Sequence, residues 1–329
     1  MYSFLLRDVT LNSMVSSRYS ITNYYKALDY FPSTTIYGLT VRSTTYPPSN
    51  SIDDVIDAVR DKIEEKGEKF RALPAVPAIV SDSNNYLDLA VVKGPRLQGR
   101  TYHKNYYRLI DVINNTYTPI NYAPTIMEYS RVGIAMDRVR GGSQKGFLYI
   151  MNEKKLSGNL IFGVEGITLG EAEQVLNGIK TFGLGRKKHL RFNVNSAYLI
   201  PSRFDLPDET VNRFGIFAIS NLHYGIIKGI MSRFNCRLTY AYMEPIYPYI
   251  YLEIINHFVR VKVNGVEGPF FSKGSILILE CKDKVSLKEI YDYKGEVECL
   301  ITPAIKEKEV KEICEHKFRS SVSYVPIKA

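Results

Sequence analysis

The stretch from Thr168 to Gly183 constrains the fold of this chain more than any other. Thr168 and Glu171 have the S/T-x-x-E spacing of a capping box, in which hydroxyl and carboxylate satisfy each other's free backbone donors at a helix start. A helix therefore begins at Leu169. Leu169, Ala172, Val175, Leu176 and Ile179 recur at the three-to-four spacing of a buried stripe, and Gly183 stands where a left-handed residue ends a helix.

Behind this cap the chain reads G-L-G-R-K-K-H-L-R-F-N, so Gly183 and Gly185 lead into Arg186, Lys187, Lys188, His189 and Arg191. Glycines let the backbone turn its N–H groups toward an anion while cations supply charge, which describes a phosphate-binding loop. A solvated charge run after a helix, where cations suit the dipole, accounts for the same residues. Charge across the chain bears on this choice. The net charge is +9, which favours polyanionic partners, and the segment from Arg131 to Phe192 holds eleven basic and five acidic residues.

Other elements follow from pattern. Phe4, Leu6, Val9 and Leu11 make an opening strand. In F-P-S-T-T-I-Y-G-L-T-V-R, Pro32 and the hydroxyls of Ser33, Thr34 and Thr35 suit a helix N-terminus, where free N–H groups are capped or take up an anion. Ser51 opens a helix with the stripe Ile52, Val55, Ile56, Val59 and Ile63. Periodicity is poor and prolines recur from Ala72 to Pro124, which predicts an insertion rather than core. Within it, Arg96, Arg100, Lys104 and Arg108 interleave with Tyr102, Tyr106 and Tyr107, a pattern that suits unpaired bases or an ordinary exposed loop. Residues 131–151 read as a basic hairpin about Gly141 and Gly142, carrying Arg138, Arg140 and Lys145. Leu160 to Ile167 is a strand, then comes the capped helix, and another strand runs through Val194 and Tyr198. The order is β-α-β-β-α-β, that of a ferredoxin-like domain, over residues 1–200. A second, less regular unit covers 201–329, with strands at Phe214 to Ile219, Arg237 to Tyr242, Tyr249 to Ile254, Phe258 to Val263 and Ile276 to Leu279. Lys306 to Lys317 reads as a charged helix.

Cys236, Cys281, Cys299 and Cys314 are widely spaced without a C-x-x-C pair, so neither a zinc site nor a disulfide framework is encoded locally. A reduced, cytoplasmic setting is expected, with no metal and no cofactor. No signal peptide and no apolar stretch long enough to span a bilayer is present, so no membrane partner is expected.

Together these motifs resemble the CRISPR RAMP superfamily. Gly183, Leu184, Gly185, Arg186 and Phe192 match its glycine-rich signature, with Arg191 and Asn193 in place of the last two glycines. The segment from Phe31 to Arg42 resembles its Pro-Gly-Ser-Ser helix start, with Ser33 in place of the glycine. M-D-R-V-R-G-G-S-Q-K-G-F-L-Y resembles its Asp-Arg hairpin, and G-P-F-F-S-K-G-S-I-L-I-L-E a late Gly-Ser segment. The resemblance implies an α+β fold of two ferredoxin-like (RRM-like) RAMP domains in tandem. Within the superfamily, it implies a Cas-five-like subunit of a type III effector complex, binding the 5′ repeat-derived tag of the crRNA without catalysis. Its partners would be that crRNA, the large polymerase-like subunit and the backbone RAMP subunits. The implied RNA contacts are Ser33, Thr34, Thr35, Arg42, Arg138, Arg140, Lys145, Gly183, Gly185, Arg186, Lys187, Lys188, His189 and Arg191. Three rival readings remain: a crRNA-processing RAMP endoribonuclease using His189, a backbone subunit cutting target RNA with Asp137 and a metal ion, and a generic RNA-binding or assembly protein of ferredoxin-like type outside CRISPR.

Overall fold

The computed structural model describes residues 1–7, 9–11, 14–16, 23–45, 51–80, 87–92, 106–116, 119–120, 125–136, 143–184, 197–201, 206, 208–248, 251–252, 257–301 and 307–329. In chain order the first half contributes β1 (Tyr2–Arg7), α1 (Ser33–Thr45), α2 (Ile52–Lys66), β2 (Val76–Val80) and the short α3 (Leu109–Ile113). The long hairpin β3 (Thr125–Met136) and β4 (Ser143–Ser157) follows, then β5 (Asn159–Glu165), α4 (Leu169–Phe182) and β6 (Ala197–Pro201). The second half contributes β7 (Thr210–Ala218), α5 (Tyr224–Arg233), β8 (Cys236–Tyr242), β9 (Ile276–Ser286), α6 (Leu287–Asp292), α7 (Glu307–Arg319) and β10 (Tyr324–Lys328).

Two antiparallel sheets organise these elements. The first runs β6-β1-β5-β2, with Phe4 opposite both Leu199 and Phe162, and Ile161 opposite Val76. The second runs β8-β9-β7-β10, with Ile216 opposite Leu277 on one side and Pro326 on the other. Numbered by their appearance within each half, both sets of four strands lie in the order fourth, first, third, second. In each, a helical connection separates the first strand from the second and the third from the fourth.

A third sheet joins the halves. It carries β3, β4, Asn23–Ala27 and Met14–Ser16 from the first, then Pro245–Pro248, Phe270–Phe271 and Leu222–His223 from the second. The core is likewise shared: Phe4, Ile36, Val59, Phe162 and Val175 belong to one buried cluster with Phe214, Ile227, Leu279 and Val310. Hydrogen bonds cross the boundary too, from Ala72 N–H to Ser320 O at 2.9 Å and from Val322 N–H to Ala72 O at 2.9 Å. The boundary drawn near residue 200 therefore divides two strand orders, not two separate cores.

The segment read as an insertion near 72–124 supplies structure to both halves. Ala72, Leu73, Ala75, Val76 and Ala78 are buried, and β2 pairs directly with β5. Farther on, Tyr107, Leu109, Val112 and Ile113 pack on Phe217, Ile276, Ile278, Val325 and Ile327, the back of the second sheet. Prolines and short elements hid the pattern, because β2, paired on its other side with Leu87–Val92, is a central strand buried on both faces and shows no alternation.

The cysteines also depart from the sequence reading. Cys236 and Cys281 stand opposite each other on β8 and β9 and form a disulfide, and Cys299 is joined to Cys314. Strand register brings the first pair together across a sequence separation of 45, which no local spacing rule detects.

Candidate nucleic-acid interface

The helix ahead of the basic loop forms as its residues dictate. Thr168 Oγ1 accepts from the Glu171 N–H at 3.3 Å, and Glu171 Oε2 accepts from the Thr168 N–H at 2.8 Å. Ala172, Val175 and Ile179 are buried. Gly183 adopts φ 69°, a left-handed value that favours glycine, and its N–H donates to Ile179 O at 3.1 Å. Leu184 is buried at 3% exposure and anchors the entry to the loop. Gly185, Arg186, Lys187, Lys188, His189 and Arg191 lie outside the described residues, as do Arg138, Arg140 and Asp137 at the hairpin tip. Lys145 is near the start of β4, whose backbone pairs with β3.

Contacts along α1 and α4 fix how the two glycine-rich motifs relate. At one end, Gly166 lies against Lys69 and Phe70, and the Phe70 ring meets Tyr37 edge-on at 5.4 Å. At the other, Gly178 faces Ser43, where a Cβ would stand 1.8 Å from the hydroxyl oxygen. The Arg42 guanidinium sits over the Phe182 ring, 4.4 Å from its centre. The helices therefore run side by side in the same direction. Gly183 opens beside Arg42, at the C-terminal end of α1, and Ser33 is about 13 Å away along the axis at 1.5 Å per residue.

Ser33 is 1% exposed, and its polar groups are taken up inside the chain. Its N–H donates to Ser220 Oγ at 3.0 Å, and its hydroxyl donates to Val322 O. Thr35 N–H turns back to Pro32 O at 2.8 Å, while Thr34 and Thr35 remain partly exposed. Ser220 thus fills the place an anion would take at this helix start. A carboxylate fills the corresponding place on α4: Glu171 is held by Lys66 at 2.6 Å and by Lys62. Burial pushes the Glu171 carboxyl up, but the hydrogen bonds from Lys62, Lys66 and the Thr168 N–H outweigh it and hold its pKa at about 2. Both helix starts are thus occupied internally, and Arg42 stands at the other end of the pair, over Phe182 and next to Gly183.

The late Gly-Ser segment faces inward. Phe270, Phe271, Ser272, Lys273 and Ser275 are buried, and Lys273 Nζ lies 3.4 Å from Asp29 Oδ1 across the two halves. Burial raises the Asp29 carboxyl, and Lys273 and Lys154 more than reverse it.

Two histidines serve the fold. His223 caps α5 by accepting from the Gly225 N–H at 2.9 Å, and burial lowers its pKa to about 4. His316 lies 2.8 Å from the Tyr37 hydroxyl and is lowered by burial as well. Among the described residues no group of three or more His, Cys, Asp and Glu side chains is placed to hold a metal ion. No helix among them is long and apolar enough to cross a membrane. Sequence reading missed the partners of Ser33, since Ser220 and Val322 come from distant strand ends with no local signal.

No protein-family model and no curated protein matches the sequence. Among solved structures, the chain is similar to a chain of the type III-B Cmr-beta complex bound to cognate target RNA and AMPPnP. The TM-score is 0.47, with 11% identity over 98% of both chains. A second structure of Cmr-beta with cognate target RNA gives 0.46, with 10% identity over 96% of this chain and 94% of that one. A chain of a CRISPR RNA-guided surveillance complex gives 0.26, with 9% identity over 96% and 99%.

Proposed function

We propose that the chain is a non-catalytic RNA-binding subunit of a type III CRISPR effector complex. It holds the 5′ repeat-derived tag of the crRNA and stands beside the large polymerase-like subunit and the backbone RAMP subunits in the cytoplasm. Its two four-stranded units are ferredoxin-like RAMP domains in tandem, a reading supported by the strand order they share. The observation that carries the functional reading is the end of α4. There a left-handed Gly183, seated beside Arg42, launches a glycine-containing loop with five basic residues if His189 is counted. Arg42 and the loop grip consecutive phosphates, and the hairpin β3–β4 is a separate arm.

Ser33 is left out of this contact set because its donors are used internally. The rival ribonuclease draws no support from His223 and His316, whose burial keeps them neutral near pH 7.

Filter binding of single-stranded tag RNA tests the proposal. Reversing the charges of Arg186, Lys187 and Lys188 should abolish binding at salt where reversing Lys306, Lys308 and Lys311 does not, because phosphate contacts release counterions locally. Equal losses would mean that net charge alone matters. Repeat RNA and a target duplex incubated with the protein, with and without magnesium, should stay intact. Cleavage lost in His189→Ala or Asp137→Ala would put an enzymatic rival ahead.

A further inference from the structure

Among the described residues, the back of the second sheet is covered at one end, where α3 and Tyr107 pack on it. At the other end Arg213 of β7 and Arg237 of β8 flank Glu280 of β9 in a single cross-strand row. Arg213 is exposed, and Arg237, with its side chain 78% exposed, donates to Glu280 Oε2 at 2.8 Å. Side chains alternate along a strand. Because Leu279 points into the core, Glu280 lies on the back face with Arg213 and Arg237; beyond it the register with β7 shifts, and Lys282, Asp283 and Lys284 follow in that irregular stretch. Both lysines are exposed. In the adjoining row Tyr240, opposite Ile278, is 42% exposed.

We propose that this open end of the second sheet is a further single-stranded RNA contact. Tyr240 stacks on a base while Arg213, Arg237, Lys282 and Lys284 follow the phosphates. Two arginines share the row with one carboxylate, itself paired with Arg237, and the exposed Lys282 and Lys284 lie just beyond it with Asp283 between them in sequence. An aromatic ring set among cations on a sheet surface is the combination that takes up an unpaired base and its backbone together. A charged row of this kind costs too much desolvation to suit an apolar protein partner. The contact lies on a different unit from Gly183 and Arg42, so it adds a second anchor to the RNA. It rests on the reading of the chain as an RNA-binding subunit.

The test uses the full chain and a 4-thiouridine-substituted single-stranded RNA longer than the tag. Tyr240→Ala should weaken binding about ten-fold, the loss of one stacked base, while Tyr240→Phe keeps affinity. Arg213→Gln with Arg237→Gln should lower the salt slope by about 1.4, from about 0.7 per phosphate on a single strand. Photocrosslinking should label the β8 peptide and lose that label in Tyr240→Ala. Circular dichroism melts of these variants should match the parent, since the changed side chains are exposed. If the parent binds RNA and reversal of Arg186, Lys187 and Lys188 abolishes it, yet the sheet variants bind normally without a β8 crosslink, this contact is refuted while the proposed function stands. A protein strand captured on the outer edge of β8, with RNA affinity unchanged, would overturn it too. A parent chain that binds no RNA would overturn both.

Discussion

Reducing the two disulfides should cost the protein much of its stability, and the structure ranks the two bonds. Cys236–Cys281 closes a loop with a sequence separation of 45, and Cys299–Cys314 one of 15. In the chain-entropy account such loops restrict the unfolded ensemble by about 4 and about 3 kcal/mol at 25 °C. The loops do not overlap in sequence, so together the bonds contribute on the order of 7 kcal/mol. The four cysteines are buried, and in the chain-entropy account their links act by restricting the unfolded ensemble. The effect therefore acts through the unfolded chain, which expands when the links are cut and raises the denaturant slope. Guanidinium unfolding of oxidised and reduced protein, alongside Cys236→Ala/Cys281→Ala and Cys299→Ala/Cys314→Ala, measures each contribution. The first pair should cost about 1 kcal/mol more than the second. Thiol titration in denaturant without reductant should find none of the four cysteines reactive. Four reactive thiols, or coincident unfolding curves with and without reductant, would refute the reasoning.

The Glu171 carboxylate offers a pH test. Its folded pKa of about 2 lies below the ordinary value, so its stabilisation is present above about pH 4.5 and is lost as the pH falls through 2. The difference in Tm between the parent and Glu171→Gln should accordingly be full at pH 6 and shrink toward pH 2; a difference independent of pH would rule the ion pairs out as its source. Gly178→Ala should destabilise by about 1–3 kcal/mol, because the new Cβ would stand 2.7 Å from Ser43 Cβ and force α1 and α4 apart. In a Ser43→Gly background the same change should become neutral or stabilising, alanine being the better helix former, and a cost that persists there would show that the helices do not meet as described.

Local patterns made several elements legible. Thr168, Glu171 and Gly183 bound α4 as the spacing predicts, Ser51 caps α2 by accepting from the Asp53 N–H at 3.2 Å, and α1 starts at Ser33. The hairpin is found as well, with Met136 opposite Ser143, although its strands extend well beyond 131–151. The β-α-β-β-α-β order read from the sequence takes the hairpin as its central strand pair, whereas the hairpin belongs to the third sheet and the strand beside β5 is β2, inside the segment read as an insertion. What stayed hidden depends on distant partners. The second unit reads as irregular only because its strands are interrupted by short elements, yet it repeats the first unit's strand order. Ser33 has the residue type of an anion contact, and only the arrival of Ser220 and Val322 shows its donors to be used. The pairing of Cys236 with Cys281 and the row formed by Arg213, Glu280 and Arg237 both follow from register, a long-range property that propensity and periodicity do not carry.

The central claim is that this chain holds the tag end of a crRNA. Its most direct test is to purify the protein from native cells at low salt and sequence the RNA it retains, mapping each 5′ end. The account predicts short RNAs that begin with one repeat-derived tag followed by varied sequence, with the tag protected from nuclease digestion and a large polymerase-like subunit in the same fraction. RNA without repeat sequence, or repeat RNA whose tag is digested as fast as the remainder, would contradict it.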